Sequence, residues 1–155
     1  MSRDRRGFDY ALEPMRSITE WDMNDVAREL AAQNAAADTQ QDKVDQLSQA
    51  FAAVRSDVLA QRQTQAALNI DAQRRAHAYM AQVQQHLTAE DAQLQVMQQA
   101  SDETLARLTA LRKFADSLDR NKEAAAEEYD QKVVKQSYLQ ADDNWLQRIH
   151  WRKTS

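Results

Sequence analysis

From Met23 onward, apolar residues return every seven positions. Met23, Leu30, Ala37, Val44, Phe51 and Val58 form one row, and Val26, Leu47 and Val54 fall three residues after members of it. Two rows in this relation are the seam of a coiled coil, because about 3.5 residues per supercoiled turn keeps both facing one partner. Gln33 and Gln40 occupy inner positions, so the middle of this seam is polar. Upstream, Phe8, Leu12 and Met15 are spaced four and three. The steps Leu12 to Met23 and Met15 to Val26 are eleven residues each, a spacing that locally relaxes a left-handed supercoil.

A second seam runs through Met80, Val83, Leu87, Leu94, Met97, Leu108, Leu111, Ala115, Leu118, Ala125 and Tyr129, with Glu90, Ser101, Thr104 and Lys122 in its interior. Inner polar residues weaken such packing and can fix its register. Between the seams, "AQRQTQAALNIDAQRRAHA" holds few large apolar residues, and the registers on its two sides do not match. The mismatch predicts a chain reversal at about 69–71, where Asn69 or Asp71 can cap a following helix. A reversal at 87–90 is the alternative, since "TAED" sets Asp91 at capping-box spacing from Thr88. One unbroken helix pairing with another copy of itself would satisfy the same rows.

The expected fold is therefore all-α, a long antiparallel two-helix coiled-coil hairpin. It forms a single domain over residues 1–155, with arm one at about 8–68 and arm two at about 72–150. Arms of that length would extend roughly 90 to 120 Å, a shape with no concave interior for a small molecule.

Composition sharpens this picture. Twenty-seven residues are Ala and twenty are Gln, with aromatics at 6%, so the chain is built of strong helix formers with little bulk. One Gly and one Pro leave almost no material for β-turns. Both lie in the first fourteen positions, and Pro14 is tolerated there only if the long helix starts close by. The basic opening "MSRDRRGF" leads into no apolar run of signal-peptide length, and nowhere do about 18 apolar residues occur together. Direct membrane insertion is not expected, and a cytoplasmic location is the simplest. Net charge is −4, with six Lys/Arg against ten Asp/Glu in residues 1–50. That is a poor start for nucleic acid, and no nucleic-acid partner is expected.

The candidate chemistry thins out quickly. Without cysteine there is no thiolate catalysis and no Cys-type zinc site. His77, His86 and His150 form no i, i+4 pair, no Glu-x-x-His occurs, and one glycine cannot build a phosphate-cradling loop. Carboxylates such as Glu127, Glu128 and Asp130, or Asp142 and Asp143, have nothing to desolvate them on an exposed helix. The basic residues Arg107, Arg112, Lys113, Arg120 and Lys122 alternate with acids, which predicts local ion pairs and not a DNA-binding stripe. No catalytic residue, cofactor or metal is expected, and the chain is read as not an enzyme. Two places stand out. Phe8, Tyr10, Leu12 and Met15 predict an aromatic and apolar knot at the helix start. Trp145, Leu146, Ile149 and Trp151 cluster beside Arg148, Arg152 and Lys153, and either anchor a partner or close the open end of the hairpin against Phe8 and Leu12.

The opening Phe8-x-Tyr10-x-Leu12 leading through "MRS", the long helix with "VARELAAQNAAADTQQDKVDQL", the Gln/Ala-rich middle and the charged second helix resemble the FliJ/YscO family of bacterial type III secretion stalk proteins. The resemblance covers most of the chain. It implies a long antiparallel helical hairpin, similar to the coiled-coil part of the rotary ATPase γ subunit. It further implies insertion into the hexameric type III secretion ATPase, contact with the cytosolic domain of an export-gate membrane protein, and in some members binding of secretion chaperones. The expected location is then the bacterial cytoplasm, peripheral to the export apparatus at the inner membrane. Phe8, Tyr10 and Leu12 match the family's opening as a region that helps define the stalk. The rival expectation is a structural or adaptor coiled coil that self-associates or holds one client, with Trp145, Ile149 and Trp151 as its anchors.

Overall fold

The computed structural model describes residues 7–64 and 69–153. They form two helices, α1 (Glu13–Gln63) and α2 (Ile70–Lys153), which pack against each other in an all-α fold. Contacts divide the chain into two units, Asn24–Thr109 and Met1–Met23 with Ala110–Ser155.

Both helix starts follow from local chemistry. At α1 the Glu13 amide donates to Tyr10 O (3.0 Å) and the Arg16 amide to Leu12 O (3.0 Å), so Pro14 falls in the first turn, where its missing N–H costs nothing. Just upstream Gly7 has a φ of +94°, a region that penalises any Cβ. At α2, Asn69 Oδ1 accepts from the Ala72 amide (3.1 Å) and Asn69 O from the Gln73 amide (3.1 Å), an N-cap that satisfies donors the helix itself leaves orphaned. Leu87–Glu90 lie inside α2, so no reversal occurs at the 87–90 alternative. There Thr88 Oγ1 donates to Gln84 O (2.9 Å) and caps nothing. α1 is also shorter than the expected 8–68, beginning at Glu13 and ending at Gln63. Residues 65–68 of that expected arm lie outside the described residues.

Within Asn24–Thr109 the helices run antiparallel: Glu29 meets Arg107, Gln40 meets Glu90 and Arg62 meets His77. The buried seam is thin, carried by Val26, Val44, Val58, Val83, Leu94 and Leu108, each of which gains roughly 1.5 to 3 kcal/mol on leaving water. Gln40, only 3% exposed, crosses the seam, and its Nε2 donates to Glu90 O (3.0 Å) and to the Glu90 carboxylate. Ser101 and Thr104 are buried in the same stretch. Gln33 Oε1 and Ser101 Oγ find no protein partner, which forfeits part of what burial gains.

Within the other unit the helices are also antiparallel, with Phe8 against Tyr129, Glu13 against Lys122 and Arg16 against Asp119. Leu118 and Ala126 of α2 and Tyr10 are its buried apolar residues.

Candidate functional site

The opening expected as an aromatic and apolar knot is a latch onto α2. Tyr10 is buried, and its hydroxyl lies 3.1 Å from Leu118 O and 2.9 Å from Asn121 Oδ1. It carries one proton, so these acceptors compete for it. Phe8 is half-buried against Tyr129, with ring centroids 5.6 Å apart and a tilt of 55°, a separation within the range of attractive aromatic pairs. A Cβ at position 7 would come within 3.3 Å of the Tyr129 hydroxyl, which adds a second reason for glycine there. Leu12 and Met15 do not join this knot: both are exposed.

Charge completes the latch. Lys122 Nζ donates to Glu13 Oε2 (2.7 Å) and lies 5.9 Å from the centre of the Tyr10 ring. Arg16 Nε donates to Asp119 Oδ1 (2.6 Å), and its NH1 to Glu13 Oε1 (3.2 Å). The hydrogen bond from Lys122 is the main reason that the Glu13 carboxyl is held below its ordinary range, with the charges of Lys122 and Arg16 adding to it. The hydrogen bond to Asp119 likewise raises Arg16. Lys122 is thus an ion-pair partner at the seam edge. With the Arg107–Glu29 pair (3.4 Å), these bridges between the helices add to ion pairs within one helix, such as Lys132–Glu128 (2.9 Å).

The C-terminal cluster occupies a different situation. From residue 131 to 151 every side chain is exposed except half-buried Ile149. Trp145 is 62% and Trp151 79% exposed, and the aromatic partner of Phe8 is Tyr129. Closure of the hairpin by Trp145 and Ile149 against Phe8 and Leu12 is therefore overturned. The physical reason is register: the antiparallel pairing that puts Glu13 opposite Lys122 brings Phe8 to Tyr129, about four helical turns short of Trp145. An open hollow of about 690 Å³ is lined by Asn144, Trp145, Gln147, Arg148, Ile149 and Trp151. All six of these described lining residues lie within eight positions of one helix.

The sequence reading missed Val134, Tyr138 and Leu139, which are also exposed on this segment. The signal was available: Val134, Tyr138, Trp145 and Ile149 are spaced four, seven and four, a helical stripe outside the seam register. It also missed Ile18 and Trp21, exposed on α1. Among the described residues no cluster of three or more His, Asp or Glu could hold a metal ion. No helix there is long and apolar enough to cross a membrane. What the arrangement offers chemically is protein contact through aromatic and aliphatic side chains on one helix. No protein-family model, curated protein or solved structure matches the chain.

Proposed function

We propose that this protein is a non-enzymatic stalk of a bacterial type III secretion export apparatus. In this role it binds the hexameric secretion ATPase ring and couples it to the cytosolic domain of the export gate, with secretion chaperones as further partners. It works in the bacterial cytoplasm, peripheral to the apparatus at the inner membrane.

The observation that carries the reading is the bare end of α2. The helix is latched to α1 as far as Tyr129 and then exposes Tyr138, Leu139, Trp145 and Leu146. A single helix is narrower than a helix pair, and Trp and Tyr are the side chains from which interfaces draw most energy. A ring responds to such an insert only if the insert contacts its conformational states unequally, and contacts from one helix end to a ring of six subunits meet that requirement. The likeness of the Phe8, Tyr10 and Leu12 opening to the secretion stalk family is independent support, and the structure assigns Tyr10 a latching role compatible with it.

The test is ATP hydrolysis by a purified hexameric type III secretion ATPase under ring-assembling conditions. A several-fold rise on adding this protein, lost in Trp145→Ala with Trp151→Ala, is the expected result. Unchanged hydrolysis would overturn the proposal. The same exposed tryptophans also favour an adaptor that holds one client protein. In that case the double variant releases the client, and hydrolysis never responds.

A further inference from the structure

The outer face of α2 changes character near residue 130. Stepping by seven, Lys113, Arg120 and Glu127 are followed by Val134 and Ala141, while the seam row Ala115, Lys122, Tyr129 is followed by Gln136 and Asp143. The other seam row, Leu111, Leu118 and Ala125, runs on through Lys132 to Leu139 and Leu146, so a second apolar stripe is added on a side that the seam rows do not occupy. Val134, Tyr138, Ala141 and Trp145 are spaced four, three and four, the alternation by which one helix packs against another. Ile149 extends that stripe by one turn. Val134, Tyr138 and Trp145 are exposed.

We infer that this stripe is an interface between two copies of this chain, whose α2 ends pair antiparallel about a twofold axis between Leu139 and Gln140. That centre sets Trp145 of one copy beside Val134 of the other and Tyr138 beside Ala141, so at both layers a ring meets a small side chain. A parallel pair would stack Trp145 on Trp145 and Tyr138 on Tyr138 while leaving Ala141 facing Ala141, which packs unevenly. Charge favours the same arrangement. Lys135 and Asp142 each directly follow a stripe residue, so they border the same edge of it, and both are exposed. In antiparallel pairing like edges meet, and Lys135 then lies opposite Asp142 of the second copy with an offset of two residues, about 3 Å along the axis. The twofold makes this two ion pairs. An interface built from one patch on both copies is the usual form of a homodimer. The bare length also suits the pairing: about this axis residue 131 meets residue 148, so the exposed segment of one copy covers that of the other. The pairing does not rest on the stalk reading, but it covers Trp145, so a paired end and an end inserted in a ring are alternative states of the same segment.

Sedimentation equilibrium of the full chain over a wide concentration range tests it. The wild type is expected to move reversibly from monomer to dimer mass. Trp145→Ala is expected to weaken the association roughly a hundredfold. Lys135→Asp and Asp142→Lys should each weaken it by roughly tenfold, and the double charge swap should restore it. Because these side chains are exposed, helix content by circular dichroism serves as the folding control. A monomer at every concentration would overturn the inference. So would a dimer indifferent to Trp145→Ala, or a double swap as weak as either single change. Hydrolysis by the secretion ATPase is measured separately, so failure of the dimer and failure of the stalk are distinguishable.

Discussion

Residues 110–130 and 131–151 belong to the same helix, yet the first stretch is covered and the second is bare. Hydrophobicity does not explain the difference. The covered stretch relies on Leu118, Ala126 and the half-buried Leu111, Ala115, Ala125 and Tyr129, with Lys122 among them. The bare stretch holds two tryptophans, a tyrosine, two leucines and an isoleucine. What differs is the presence of a neighbour. In the covered stretch the apolar residues keep the seven-residue rows that face α1, and those rows meet Phe8, Tyr10 and Arg16 arriving from it. In the bare stretch Leu139 and Leu146 keep the row of Leu118 and Ala125 and are exposed all the same, because among the described residues the other arm reaches only as far as Phe8 against Tyr129. A helix buries residues that share a face with a neighbour, whatever their bulk.

Several measurements can break this contrast. The largest effect belongs to Leu118→Ala, which empties a site only 5% exposed and is expected to cost about 2 to 4 kcal/mol in urea unfolding followed by circular dichroism. A cost under about 1 kcal/mol would mean that α1 does not cover this stretch in solution. Tyr10→Phe keeps the ring and deletes the hydroxyl near Leu118 O and Asn121 Oδ1. The expected loss is about 1 kcal/mol, with faster amide exchange in the first turns of α1 as its local signature.

Acid acts on the same latch more gently. Glu13 is held below the ordinary value of 4.5 when folded, chiefly by the hydrogen bond from Lys122. Its contribution is therefore present above that ordinary value and is lost as pH falls through the lowered one. Because the side chain keeps 41% of its surface in water, screening makes the effect small. The urea midpoint of wild type should drop more between neutral and acid pH than that of Glu13→Gln, and parallel profiles would show that the Glu13–Lys122 bridge carries no stability.

The smallest expected effect sharpens the contrast from the other side. Trp145→Ala, measured at concentrations dilute enough for the chain to be monomeric, should change stability by no more than about 0.5 kcal/mol. A loss comparable to that of Leu118→Ala would show that the end of α2 packs within its own chain after all.

The sequence by itself determined the helices. With one glycine and one proline, both before residue 15, nothing interrupts long runs of helix-forming residues, and helix formation depends on neighbours a turn away. It also determined most of the inner faces: Val26, Val44, Val58, Val83, Leu94, Leu108 and Leu118 were legible from their spacing and are buried, whereas buried Thr19 and Ala126 lie off the rows read from the sequence. Tyr10 was legible as special, though its role was not. Only the tertiary structure decided which rung meets which. It joined Phe8 to Tyr129 and left Trp145 bare, turned Lys122 from an inner polar residue into the partner of Glu13, and gave Gln40 the backbone and carboxylate of Glu90. The reason is that a repeat of seven says which face a residue occupies but is unchanged by sliding one helix past another by seven. The register between helices is set by contacts between residues from 15 to 111 positions apart in the chain, and these depend on side-chain size, charge and hydrogen bonding at each rung.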